Sequence, residues 1–339
     1  MDTGPTGEVI EKAVRLAGRA PSLHNTQPWQ WTFDGHTMYL FAEPRRMLPS
    51  TDTTGRQMVL SCGIALGHLR VALAAEGWRC DTDYAPDPNR RTHLATITFH
   101  RAELVTDADR VRADAISRRH TDRHPFAAPP DRTDLATVLC SAVDPGDATI
   151  DVLADTDRPG LAEATRLTAA QRRYDAGYQA ELRWWTGHTF PTAGVPAAAL
   201  PSRAENAGVG IDRDFPGSPE TPDSPQDDHA LVLVLGTSED TPAQLLRCGV
   251  AISTVLLECT LLGFATCPLT HLTEVPRSRT LVREMTGRDV RPQMLIRVGL
   301  SPFAADRAAT PRLPLTDILD LTTSPTGNGH ERTNHDHRA

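Results

Sequence analysis

Lysine is almost missing from this chain of 339 residues: Lys12 is the only one, so arginine carries nearly all the positive charge. The formal net charge is -8, which opposes binding to a phosphate backbone, and no platform of aromatic and basic residues is present. A nucleic-acid partner is therefore not expected. Aromatic residues make up 5%. There is no Gly-rich Walker loop and no GxGxxG after a strand; the GVG at Gly208–Gly210 lies in an aperiodic stretch. Any bound phosphate must therefore be held by arginines. No apolar h-region follows the N-terminus, and no uninterrupted apolar run reaches the roughly eighteen residues of a membrane helix. Cytoplasmic residence without a membrane partner is the expectation. Cys62, Cys80, Cys140, Cys248, Cys259 and Cys267 are scattered, in neither CxxC nor disulfide-like spacing, and are expected to stay reduced. No zinc spacing, nucleophile triad or acid-base carboxylate pair is present, so neither a metal nor a side-chain catalyst is assigned.

What is present is a mixed pattern. Apolar recurrence at three and four predicts helices at Glu8–Arg19, Gly55–Glu76, Asp109–Arg118, Asp131–Ala142, Arg158–Trp185, Pro242–Leu262 and Val275–Thr286. Short apolar or alternating runs predict strands in HTMYLFAE, LATITFH, TIDVLAD, ALVLVLGT and QMLIRVGL. The fold class is α+β.

From Thr186 to Asp228 the composition turns to Pro, Gly, Ala, Ser and Asp. That is too long for an ordinary connection, and it reads as a lid rather than a floppy insertion, with Trp184, Trp185, Phe190 and Phe215 to dock it. The polar tail from Thr322, including His330, His335 and His337, is expected to fray rather than to hold a metal.

The chain also echoes itself. LSCGIALGHLRVALAAEGW (Leu60–Trp78) aligns without a gap on LRCGVAISTVLLECTLLGF (Leu246–Phe264), at an offset of 248 − 62 = 186. Shared Leu and Ala are common to buried helices, but the matched Cys-Gly starts and Gly-aromatic ends favour a duplication. The halves would run over 1–110 and 111–321, with the tail at 322–339. A fused pair can do what a two-fold homodimer does while one of its two sites decays.

Three clusters carry the candidate chemistry. In PSLHNTQPW, Ser22 and Asn25 offer hydrogen bonds, although turn chemistry alone makes this a helix-ending turn with two core tryptophans. In SRRHTDRHPF, Arg118, Arg119 and Arg123 surround Thr121, a set that suits a phosphate monoester and is otherwise a solvated basic face. The third is ATCPLTH, followed after QMLIRVGL by TPRLPL with Arg312.

Together the stretches IEKAVRLAGRAPSLHNTQPWQW, ISRRHTDRHPF, CGVAISTVLLECTLLGFATCPLT and TPRLPLTDIL resemble the nitroreductase superfamily of FMN-dependent oxidoreductases, over most of the chain. The arginine element comes at the head of the second half instead of at the N-terminus, as in a branch whose members are fused, monomeric versions of the dimer with one lidded flavin site. The resemblance implies FMN as cofactor, with its phosphate and ribityl chain on Arg119, Thr121 and Arg123, Arg118 beside them and Arg312 closing the site. It further implies that Ser22 and Asn25 face the flavin, and that Cys267, Pro268, Leu269, Thr270 and His271 pass its reactive edge. Many relatives have Glu-Gly where this chain has Thr270 and His271. An imidazole there, filling space or donating to the flavin, and a lid over the ring would obstruct a nicotinamide. The expected function is thus an FMN-binding protein of low turnover that sequesters or stores its flavin. The alternatives are an active NAD(P)H-dependent reductase of nitro or quinone acceptors, or a fold that has lost its flavin.

Overall fold

The computed structural model describes residues 4–187, 192–220, 226–302 and 310–322, so Phe190 and the histidines of the tail lie outside the described residues. Thr6 caps α1 (Gly7–Ala17) by accepting from the amide of Val9. Next come β1 (Trp29–Phe33), β2 (Met38–Ala42), α2 (Arg56–Ala75), β3 (Trp78–Tyr84) and β4 (His93–Arg101). The chain continues through α3 (Asp107–Arg118), α4 (Arg132–Ala142), β5 (Thr149–Leu153), α5 (Arg158–Arg172), α6 (Ala176–Trp185) and α7 (Arg203–Val209). It ends with β6 (Leu231–Thr237), α8 (Pro242–Leu261), β7 (Ala265–Leu269), α9 (Pro276–Thr286), β8 (Arg291–Gly299), α10 (Leu315–Ile318) and β9 (Leu319–Leu321).

The mixed class and the five expected strands are present. The single helix expected over Arg158–Trp185 is two, because Asp175 accepts from the amide of Tyr178 at 3.0 Å and starts a new helix. Four strands were not expected: β1, β3, β7 and β9. ATCPLTH, which is not among the expected strands, is strand β7 through Leu269 and turns only at Thr270.

The strands form two sheets. One has the order β3-β4-β2-β1-β9 and the other, read from its β7 edge, β7-β8-β6-β5. The matching pairs β3/β4 and β7/β8, β4/β2 and β8/β6, and β2/β1 and β6/β5 are all antiparallel. β9 has no counterpart and crosses from the C-terminal end to pair in parallel with β1. A tight turn at residues 34–37 joins β1 to β2, closed by Asp34, which accepts from the amides of His36 and Thr37. Residues 154–230 occupy the matching connection, between β5 and β6.

Between the sheets α2 packs against α8, and both are long and apolar enough to cross a membrane by composition, yet they form the buried core. Their backbones meet at glycines. A Cβ on Gly63 would lie 2.4 Å from the carbonyl oxygen of Leu246, and one on Gly249 would lie 2.5 Å from that of Leu60. The contact is reciprocal at the offset of the echo, since 246 − 60 and 249 − 63 both equal 186. Only glycine permits so close a crossing.

Candidate functional site

The segment between α1 and β1 takes an unusual path. His24, Asn25 and Gln27 all have positive φ, at 46°, 59° and 51°, a region that side chains with a Cβ seldom occupy. Hydrogen bonds from several directions hold it there. The amide of Gln27 donates to Ser22 Oγ at 2.9 Å and that of Leu23 to Ser61 Oγ at 3.3 Å. Asn25 Nδ2 donates to the carbonyls of Gly194 and Pro311, each at 3.0 Å, while its Oδ1 accepts from Arg312 at 3.0 Å. Gln27 Nε2 donates to the carbonyl of Thr192 at 2.8 Å, and its Oε1 accepts from the amide of Leu313 at 2.9 Å. This turn therefore ties together residues 192–194 and 311–313, which follow it by more than 160 positions.

Beside the turn, three arginines converge. Arg119, just past the end of α3, and Arg312 both donate to the carbonyl oxygen of Arg19, at 3.2 and 3.1 Å, while Arg19 donates to the carbonyl of Ser117. Arg19 Nε, Arg119 Nε and Nη1 and Arg312 Nε are buried without a hydrogen-bond partner. Among the described residues no carboxylate forms an ion pair with any of the three. Burial, reinforced by the neighbouring guanidiniums, pulls Arg119 down to about 9, and burial with Arg19 pulls Arg312 down to about 10. Buried donors without acceptors are costly, and cations without a counter-charge more so. A multivalent anion between these arginines would relieve both costs.

From Arg19 the chain runs through Pro21 and Ser22 into a cavity of about 710 Å³ of empty space, its open mouth included. Its walls combine Ser22 and His24 with Gln57, Ser61 and Ile64 of α2, Thr121 and Arg123, and the run Cys267–His271. Asp212, Arg213 and Phe215, from the connection between β5 and β6, complete it. A β-bridge between Thr121 and Thr266 fixes the arginine segment beside β7. Arg123 donates to the carbonyl of Ala199 at 3.1 Å and its guanidinium lies 5.6 Å from the Phe215 ring. Arg213 forms a buried ion pair with Glu274 and donates to the Tyr178 hydroxyl at 2.7 Å. Burial, with help from Arg213, holds His271 neutral and lowers its pKa to about 3. Burial pushes the Cys267 thiol up to about 12, which leaves it without thiolate character.

Of the residues singled out from the sequence, Ser22, Thr121, Arg123, Pro268, Leu269, Thr270 and His271 line the cavity, with Cys267 among them. Arg119 and Arg312 meet in the cluster. Asn25 is not among the residues lining the cavity and is hydrogen-bonded to Gly194, Pro311 and Arg312. Arg118 is exposed on the last turn of α3. Trp184 is exposed and Trp185 half-buried, so of the described aromatic residues in that stretch Phe215 is the one in the wall. Sequence reasoning missed Arg19, His24, Gln57, Ser61 and Arg213. Arg19 stands two residues before PSLHNTQPW, but its partners lie about 100 and 293 positions away, so no local pattern marks it.

The candidate site of this α+β protein thus has two parts, buried guanidinium nitrogens without partners on Arg19, Arg119 and Arg312, and the cavity lined by Ser22, Thr121 and the Cys267–His271 run. Over 94% of its length, and 98% of the relative's, the chain is 47% identical to "Putative NAD(P)H nitroreductase acg" of Mycobacterium tuberculosis. With "Putative NAD(P)H nitroreductase Rv3131" of the same organism it shares 40% identity over 93% of this chain and 92% of that one. The chain belongs to the nitroreductase family of these proteins. No family model matches it. Among solved structures, the FMN-dependent nitroreductase NfnB from Mycobacterium smegmatis in complex with NADPH aligns at 17% identity, covering 66% of this chain and all of that one, with a TM-score of 0.39. The FMN- and NADPH-dependent NfnB from sphigopyxis sp. strain HMH aligns at 17% identity over 62% of this chain and 97% of that one, with a TM-score of 0.41.

Proposed function

We propose that this chain binds one FMN, with the phosphate on Arg19, Arg119 and Arg312 and the ring in the cavity against Pro268, Leu269, Thr270 and His271. The observation that carries this reading is the set of four buried, unpartnered guanidinium nitrogens on three arginines that have no counter-ion among the described residues. A phosphate monoester is close to a dianion at neutral pH and presents three acceptor oxygens, which matches that set in charge and geometry. Each charge-assisted bond contributes about 1.5–3 kcal/mol. Ser22 and Thr121 line the same cavity as Pro268–His271, and their hydroxyls suit a ribityl chain. The names of the relatives and the titles of the FMN-dependent nitroreductases point the same way.

The remaining parts of the proposal concern how the site is made. The chain is a duplicated and fused dimer, with halves over 1–110 and 111–321 and β9 reaching back to the first sheet. Supporting this are the common order of the two sheets and the reciprocal glycine contact at offset 186. A single chain then supplies both sides of the site, and a monomer suffices. Residues 186–228 act as a lid, supported by the contacts of Thr192, Gly194 and Ala199 with Gln27, Asn25 and Arg123.

Bound FMN would supply hydride chemistry at its ring. The residues around the ring favour holding over turnover. His271 is neutral and occupies space at the edge, the positive-φ turn fastens the lid by two side chains, and Phe215 with Arg123 fills the wall under it. The protein is accordingly a flavin-holding protein of low turnover, suited to sequestration or storage. The second reading, an NAD(P)H-dependent oxidoreductase, is favoured by the names of the relatives. The visible spectrum of the purified protein, before and after anaerobic NADPH, separates the readings. A flavin spectrum that persists against millimolar NADPH is expected. Bleaching within seconds would establish the oxidoreductase, and a colourless protein that takes up no FMN would contradict both.

A further inference from the structure

His68 sits in the middle of α2 with no exposed surface. Its Nδ1 lies 2.7 Å from Ser253 Oγ of α8, and its Nε2 is buried without a partner. α2 packs against both α1 and α3, whose C-terminal ends carry Arg19 and Arg119, and the imidazole is near enough to Arg119, Arg312 and Arg19 to feel their charges. Burial and then the charges of Arg119 and Arg312, with Arg19, outweigh the opposing effect of a hydrogen bond to the backbone of Ile64 and hold it well below its ordinary pKa, which keeps it neutral. A neutral imidazole has one donor nitrogen and one acceptor nitrogen, and the bond at one decides the role of the other. When the Ser253 hydroxyl donates to Nδ1, the proton resides on Nε2. That nitrogen is then a fifth buried donor without an acceptor, beside the four of the arginines. Guanidinium groups offer only donors and cannot satisfy it.

We propose that His68 is the fourth residue of the anion site, giving its Nε2–H to the phosphate held by Arg19, Arg119 and Arg312, with Ser253 setting the tautomer. This rests on reading the cluster as the FMN phosphate site. It adds a ligand from the core helix that no motif contains. A floor contact of this kind fixes the depth of the phosphate and distinguishes a phosphate monoester from an uncharged flavin. His68 is thus a specificity residue for the phosphate end.

The test compares FMN, riboflavin and inorganic phosphate on wild type, His68→Leu, His68→Gln and Ser253→Ala. Quenching of flavin fluorescence reads affinity, and the rise in melting temperature with inorganic phosphate reads the cluster alone. Loss of one hydrogen bond to a charged group predicts that His68→Leu weakens FMN about tenfold. Riboflavin affinity should not change, and the phosphate-induced stabilisation should shrink. His68→Gln, which keeps an N–H donor, should recover most of the loss. Equal FMN affinity in wild type and His68→Leu, or an equal fall for riboflavin and FMN, would overturn the proposal. Should His68→Leu fail to fold, Ser253→Ala decides: weaker FMN with unchanged riboflavin supports it, and unchanged FMN refutes it. A wild-type protein that responds to neither FMN nor phosphate would remove the flavin reading together with this one.

Discussion

The two sides of the α2–α8 seam have the same parts and opposite contents. On one side Ser61 and Thr270 line a cavity; on the other, 186 positions away in each case, stand Arg247 and Tyr84. There the guanidinium of Arg247 lies 4.3 Å over the Tyr84 ring and pairs with Asp147 at 3.3 Å. Asp147 belongs to the short link between α4 and β5, which takes the place of the long turn between α1 and β1 on the cavity side. Two hydroxyl side chains and a long turn leave a hollow, whereas a guanidinium, a phenol ring and a short turn fill it. An asymmetric site can therefore arise in a symmetric frame from side-chain volume at two positions and the length of one link.

The largest expected effect tests the frame. A methyl group on Gly63 or Gly249 would be driven into backbone at under 3 Å, where no side chain can yield. Gly63→Ala and Gly249→Ala should each cost about 3 kcal/mol in urea denaturation. Because the contact is reciprocal, the two costs should be similar. A large cost at one and none at the other would break the equivalence of the helices.

Next comes the cluster that the filled side lacks. Arg119→Met should weaken FMN at least tenfold, the worth of about one charge-assisted bond. It should also raise the melting temperature of the flavin-free protein, since it removes a buried cation that has no counter-ion among the described residues. Opposite signs in the binding and stability assays are the signature of a site kept for a ligand. Asn25→Ala cuts the tie between Gly194, Pro311 and Arg312 while leaving the guanidiniums in place. It should speed FMN release about tenfold and expose residues 192–215 to protease. Unchanged release would sink the lid.

A pH series sharpens the contrast further. His24, His68 and His271 are buried and neutral on the cavity side, whereas the counterparts of His68 and His271, at offset 186, are Thr254 and Ala85. Their folded pKa values lie below the unfolded value of 6.5, so the unfolded chain takes up protons that the fold refuses. Stability should be constant above about pH 6.5 and fall as the pH drops below it, for His271 down to about 3. His271→Gln should flatten that fall in urea midpoints measured from pH 7 to 4. The smallest effect lies on the filled side. Arg247 is 43% exposed, so Arg247→Ser should cost under about 1 kcal/mol and leave FMN binding unchanged.

Much of the frame was legible because it is local. The long helices, the five apolar strands and the echo all follow from periodicity within one stretch of chain. What escaped was set by distant partners. β3, WRCDTDY, is mostly polar and half-exposed, and it pairs only because β4 runs beside it. β7 contains Pro268, and β9 has only three residues and pairs with a strand nearly 290 positions earlier. α7 carries a capping box, with Ser202 and Glu205 exchanging hydrogen bonds, that a closer look at the Pro-rich stretch would have found. In the site, the family resemblance pointed to Arg119, Arg312 and the Pro268–His271 run, but a resemblance in sequence cannot tell which way a side chain turns. Hence Asn25 and Arg118 were expected at the ligand although neither lines the cavity, while Arg19 and His68, whose proposed roles depend on three helices, carry no local signal.

The proposed protein has one flavin site in a frame with two corresponding places. Titrating the flavin-free chain with FMN, with bound flavin followed by fluorescence quenching, tests it directly. A single sharp end point at one FMN per chain is expected, lost in the Arg119→Met, Arg312→Met double variant. Two equivalents bound per chain, none at all, or an end point unaffected by the double variant would contradict it.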